Sequence, residues 1–159
     1  MGSFRYRAEV EVMADAHGLT PNLVQAVCLV ESGGRTSAYR YEPAFWDRYL
    51  KDTPEWDGAN PERVSASYGL MQVMFPVAVE MGMPRTDPPE SLFVPVVGLE
   101  YGCLVLAERL AWARGELRAA LAAYNGGKKG NAPGGVLRNA AYADKVLIQL
   151  GQLQESRLA

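Results

Sequence analysis

The sequence predicts an all-α domain, and three observations carry that prediction. Apolar residues recur at three- and four-residue spacing through most of the 159 positions. Proline, glycine and small polar residues fall where those runs begin and end. No segment alternates apolar and polar residues in the manner of a half-buried strand, and no internal repeat is visible. The length suits one domain around a single sizeable core, taken as residues 1–159.

The elements follow in order. A first helix is expected over about Arg7 to His17, closed by Gly18, which is free to adopt the left-handed conformation that ends helices. Thr20 is a good N-cap and Pro21 fits the first helical position. A second helix therefore covers 20–31, with Leu23, Val24, Ala26, Val27, Leu29 and Val30 on its apolar face and Gly33-Gly34 beyond its end. Residues 35–66 carry Tyr39, Tyr41, Phe45, Trp46, Tyr49 and Trp56 among prolines and charges, and read as a long aromatic-rich insertion with one short helix around 43–50. Leu70, Met71, Val73, Met74, Val77 and Val79 read as a helix interrupted or restarted at Pro76 and ended by Gly82. After a proline-rich turn, the longest helical pattern covers 94–114, with Val97, Tyr101, Leu104, Val105 and Leu110 inward. A shorter helix over 116–125 stops at two glycines, a Gly/Asn/Pro loop fills 126–138, and a last helix spans 142–153.

Composition excludes several classes of function. Hydrophobic residues make up 48% and charged ones 21%, ordinary globular values, and no apolar stretch has the length of a bilayer span. Sixteen basic against eighteen acidic side chains leave a formal charge of −2, without the basic footprint of a nucleic-acid binder. Neither a nucleic-acid partner nor an integral membrane segment is therefore expected. The apolar helix faces are all needed for one core, and a monomer is expected. Met1 to Tyr6 lacks the apolar core of a secretory signal, so no such leader is expected in this chain. Cys28 and Cys103 lie in apolar helical runs and read as small buried hydrophobes rather than as a disulfide. His17 is the only histidine and no paired-cysteine motif occurs, so a zinc site lacks ligands; no metal or other cofactor is expected.

Elimination narrows the chemistry further. Without a Gly-x-Ser-x-Gly elbow or a Walker-type loop, nucleophilic serine catalysis and nucleotide binding both lack their parts. What remains is a carboxyl, and Glu31 is placed to act. It ends an apolar helical run, where lost hydration and the electronegative end of its own helix both penalise the ionised form and raise its pKa. A carboxyl that keeps its proton near neutrality can deliver it to the leaving oxygen of a glycosidic bond.

Four segments in order, Glu31-Ser32, Gly69-Leu70-Met71-Gln72, Ala123-Tyr124-Asn125-Gly126-Gly127 and Tyr142 through Val146, resemble the signature of the lytic transglycosylase (SLT) family. The similarity covers 20–150, and Gly98 to Gly102 also resembles the segment between the second and third motifs. The resemblance implies a lysozyme-like fold and cleavage of the MurNAc-GlcNAc linkage of peptidoglycan without water, leaving a 1,6-anhydro sugar. It implies Glu31 as the catalytic acid and later base, Ser32 beside it as a substrate contact, and Tyr68, Met71 and Gln72 lining the cleft. Tyr124 and Asn125 would border the sugar site, and the Tyr142 hydroxyl would hold the glutamic acid. The chain departs from shorter members in the long gap between Glu31 and Gly69. Its Tyr41-Glu42-Pro43-x-Phe45-Trp46 stretch resembles phage-associated versions, which implies a virion-associated or periplasmic setting at the bacterial cell wall. The same gap supplies Glu42, Asp47, Asp52, Glu55, Asp57 and Glu62, any of which could activate water and make the enzyme a hydrolytic muramidase instead. A non-catalytic peptidoglycan-binding part of a phage particle or secretion machine is the remaining alternative.

Overall fold

A computed structural model describes residues 4–158, with side chains described up to residue 156. Helix α1 (Arg7–Ala16) leads through Gly18, at φ +69°, to α2 (Pro21–Ser32), which ends at a left-handed Gly33. Both glycines do what the sequence requires of them. Leu23 through Cys28 are all buried, which makes α2 a core helix rather than a surface one. The long helix α6 (Pro95–Trp112) buries Leu99, Cys103, Val105 and Leu106. The shorter α7 (Leu117–Gly126) and the final α8 (Ala140–Leu158) close the bundle, with α8 packed on both α2 and α7 and with α1 bridging α2 and α6. His17 Nε2 lies 2.8 Å from Glu100 Oε2, tying the end of α1 to α6.

The domain is predominantly helical, and the all-α expectation needs one correction. Strands β1 (Tyr39–Tyr41), β2 (Ala66–Tyr68) and β3 (Val73–Met74) form an antiparallel sheet in that order, pairing Arg40 with Ser67 and Tyr68 with Val73. All of β2 is buried, so it carries none of the alternation that betrays a strand. The helix expected from Leu70 begins only at Phe75, as α5 (Phe75–Glu80), because the preceding residues turn sharply into β3. Gly69, at φ +75°, makes that turn: a Cβ there would stand 2.4 Å from the Leu92 carbonyl oxygen. Gln72, at φ +50°, completes it.

The expected insertion is also corrected. Residues 35–66 do not form one aromatic-rich loop but β1, a short α3 (Pro43–Phe45) running into a π-helical turn (Trp46–Leu50), a 3-10 turn and α4 (Pro61–Val64). Their aromatics divide into small contacts: Tyr39 meets Tyr68, which meets Phe93, with centroids 5.4 and 5.0 Å apart, and Trp56 meets Phe75 at 5.8 Å. Trp56 is buried and Phe45 and Trp46 pack against the core, whereas Tyr39 and Tyr49 are exposed.

Candidate active site

The C-terminal turn of α2 brings Glu31 to the junction of the helical body and the small sheet. Its side chain is only partly buried, yet loss of hydration raises its pKa to about 7 from an ordinary 4.5. Two influences oppose that rise. Tyr142, in the first turn of α8, donates its hydroxyl to Glu31 Oε2 at 2.8 Å, and the Arg40 charge on β1 also favours the carboxylate. The charge of Glu42, just past β1, reinforces the rise. Glu42 is itself in an ion pair, its Oε1 lying 3.1 Å from Arg40 Nε.

A second tyrosine fixes the floor. Tyr124, near the end of α7, donates its hydroxyl to the Met71 carbonyl at 2.6 Å, and burial followed by the Glu31 charge holds the phenol well above its ordinary value. Glu31, Tyr142, Tyr124 and the 69–72 turn thus converge on one place from α2, α8, α7 and the sheet. Gln72 keeps its left-handed backbone because its side-chain Nε2 donates to the Ala38 and Gly69 carbonyls, each at 3.0 Å. Asn125 is exposed beside Tyr124, its Oδ1 accepting from Asn139 Nδ2 at 2.9 Å. The arrangement offers one carboxyl with a raised pKa, hydroxyls and amides around it, and one charge pair at its edge. Among the described residues, no group of three or more His, Cys, Asp or Glu side chains gathers to hold a metal ion.

A family model, the transglycosylase SLT domain, matches residues 10–143 of the chain. The chain belongs to that family. Curated proteins give no significant match to this SLT domain. Among solved structures, it resembles the X-ray structure of an inactive glutamate-to-glutamine mutant of the lytic transglycosylase Slt from Pseudomonas aeruginosa, with a TM-score of 0.66 and 21% identity over 96% of this chain. At that identity the likeness is one of fold, and the SLT domain spans 25% of the length of that relative.

Three residues of the SLT domain expected at the substrate cleft are buried. Ser32 is 3% exposed, and its hydroxyl bridges the Cys28 carbonyl at 2.9 Å and the Leu70 carbonyl at 2.8 Å, joining α2 to the 69–72 turn. A serine in the last turn of a helix readily bonds back four residues, and that commits it here. Met71 is fully buried and packs on α6 so closely that a Cβ at Gly102 would stand 2.3 Å from its sulfur. Tyr68 is 2% exposed, with its hydroxyl on the Arg63 carbonyl at 2.6 Å. All three shape the site from behind.

Other residues enter that the sequence did not single out. Arg40 owes its place to β1 pairing with β2, which brings it to Glu31. Asn131, fully buried in a glycine-rich loop, and Asn139, immediately before α8, support Asn125. A polar residue just ahead of an apolar helical pattern is a cap signal, and for Asn139 that signal was available. The two cysteines are both buried and free, their thiols pushed up by burial, Cys103 to about 12. Among the described residues, no helix is long and apolar enough to cross a membrane.

Proposed function

We propose that the SLT domain is a peptidoglycan lytic transglycosylase that cleaves the MurNAc-GlcNAc β-1,4 bond and leaves a 1,6-anhydro-MurNAc end. The observation that carries the reading is a carboxyl with a pKa near 7, oriented by a tyrosine hydroxyl at 2.8 Å. Glu31 gives its proton to the glycosidic oxygen as the C1–O4 bond breaks. The N-acetyl group of the substrate stabilises C1, and the 6-hydroxyl attacks it. As the C1–O6 bond forms, the O6 proton passes to the Glu31 carboxylate, which regenerates the acid and consumes no water. Because the nucleophile belongs to the substrate, one carboxyl suffices, and holding the 6-hydroxyl close is worth an effective molarity of about 10⁵ M or more in favourable models.

Further support comes from the Pseudomonas lytic transglycosylase of the same fold, which is inactive after a single glutamate-to-glutamine exchange, as expected where a glutamic acid is essential. In this reading residues 1–159 act as one catalytic domain and as a monomer, with the motif-bearing core at 20–150 and the glycan strands of the bacterial cell wall as partner. Gln72, Tyr124 and Asn125 border the sugar, and Tyr142 orients the acid.

Glu42, whose charge acts on Glu31, is the acid that a second reading would use to activate water for hydrolysis. Product analysis on purified peptidoglycan separates the two. Anhydro-muropeptides are expected; reducing ends would mean a muramidase, and binding without release would mean a non-catalytic module.

A further inference from the structure

Three asparagines, Asn125 at the end of α7 and Asn131 and Asn139 in the loop leading to α8, form a chain whose polarity is fixed at one end. Asn131 Oδ1 accepts from the backbone N–H of Asn139 at 2.9 Å, while its Nδ2 donates to the Gly127 carbonyl at 2.9 Å. Backbone groups cannot exchange donor for acceptor, so the Asn131 amide has one permitted orientation. The same Nδ2 donates to Asn139 Oδ1 at 3.0 Å, which settles the Asn139 amide in turn. Asn139 Nδ2 then donates to Asn125 Oδ1 at 2.9 Å. An amide is planar with oxygen and nitrogen on opposite arms, so binding the oxygen to Asn139 turns the Asn125 NH2 the other way. Asn125 is an exposed residue, so the arm not held by Asn139 is open to a ligand.

The chain is built into the backbone. Gly126 is helical, and a Cβ on it would stand 2.0 Å from Asn139 Oδ1, so only glycine leaves room for the Asn139 amide. The relay also lies beside the acid. Asn139, just before α8, precedes Tyr142 by three residues, somewhat less than one helical turn, and Asn125 follows Tyr124 directly.

We propose that Asn139 is a positioning residue for substrate: with Asn131 it carries the fixed polarity of the loop backbone to Asn125, which therefore presents an NH2 donor to a hydrogen-bond acceptor of the bound glycan. This rests on the transglycosylase reading. Of the neutral acceptors on an N-acetylated glycan, an acetamido carbonyl is the strongest, and it is the group assigned here.

The test compares steady-state kinetics on uncrosslinked glycan strands for the wild type, Asn125→Ala, Asn139→Asp and the double variant. Asn139→Asp keeps the acceptor for Asn131 but sets a charged acceptor where the donor to Asn125 stood, so the Asn125 amide turns over and directs its oxygen, not its NH2, away from Asn139. Each single substitution is expected to raise KM about tenfold, the size of one lost hydrogen bond, with kcat within about twofold. The double variant is expected to match the singles, because both remove the same contact. Gly126→Ala, which displaces the Asn139 amide by crowding, is expected to raise KM likewise. Should Asn139→Asp fail to fold, Asn125→Ala, at an exposed position, and Gly126→Ala carry the comparison. Wild-type KM in Asn139→Asp, or additive losses in the double variant, would overturn the inference alone. A wild-type chain that neither binds nor cleaves glycan would overturn the functional reading and the inference with it.

Discussion

Glu31 and Glu42 are carboxyls close enough for one charge to act on the other, yet the chain holds them in different ways. Glu31 lies in the last turn of a 12-residue helix whose middle is buried, and its oriented partner is a neutral hydroxyl on another long helix. Glu42 follows a three-residue strand and is held by Arg40, a guanidinium 76% exposed to solvent. A hydroxyl fixes direction without supplying charge, so burial prevails at Glu31 and its proton is retained to about pH 7. An exposed ion pair fixes a charge but little geometry. The difference teaches which group is equipped for proton transfer: the one on rigid elements, poorly hydrated and oriented by a partner that leaves its charge state free to change.

Glu31→Gln is the strongest way to break the comparison. If Glu31 supplies the proton, lysis of purified cell walls falls by about 10³-fold or more, since general acid catalysis of this kind contributes about 10² to 10⁴. Undiminished lysis would remove Glu31 from the mechanism. The same substitution has a stability signature. Between its ordinary 4.5 and about 7, Glu31 holds a proton in the folded chain that the unfolded chain has released. Its contribution is therefore fully present below about pH 4.5, is lost as pH rises through 7, and stays flat beyond. Glutamine escapes that loss, so the variant should exceed the wild type in stability at pH 8 by up to about 3 kcal/mol and match it at pH 4. Urea melts at the two pH values check this. In the wild type, kcat/KM should fall above about pH 7, because the acid form is then depleted.

Tyr142→Phe is next. Without the hydroxyl the carboxyl loses its orientation, at a cost of about 10- to 100-fold in turnover. The bond favours the ionised form of Glu31, so its removal should move the alkaline limb of the pH profile upward. A limb that stays put or moves downward would show that the hydroxyl does not act on this carboxyl.

Ser32→Ala tests whether the wall behind Glu31 is structural. Loss of a buried hydroxyl bonded to the Cys28 and Leu70 carbonyls should destabilise the domain by about 1 to 3 kcal/mol, with KM unchanged. A raised KM at unchanged stability would restore Ser32 as a substrate contact. Ser32 also illustrates what a sequence can express. Helix α2 was legible because Pro21, the run Leu23 to Cys28 and Gly33 are local signals on consecutive turns. Glu31, Tyr124 and Tyr142 were legible through ordered motifs, and the structure brings them together. The direction of a side chain beside the acid was not, since it depends on where Leu70 arrives from a distant segment. The sheet was hidden for a related reason: β2 is buried throughout and pairs with β1 from a distant segment, and its near neighbour Val73-Met74 looks helical until the Gly69–Gln72 turn is known. Asn131 and Asn139 acquire meaning only once the loop folds back to join them.

Glu42→Gln should have the smallest effect and decides most about the second carboxyl. If Glu42 acts only through its charge, its removal relieves a repulsion that raises the Glu31 pKa, and the alkaline limb should move down by a fraction of a unit. Arg40→Ala, which removes a charge of the opposite sign, should move it up. Maximal turnover should stay within about threefold in both, because neither group would touch the reacting atoms. A general base that activates water has a different signature. Its loss costs about 10² or more in turnover and leaves the products of any residual activity enriched in anhydro ends. Measuring the limb and the product ends in the same Glu42→Gln preparation therefore distinguishes a carboxyl that tunes its neighbour from one that does chemistry of its own.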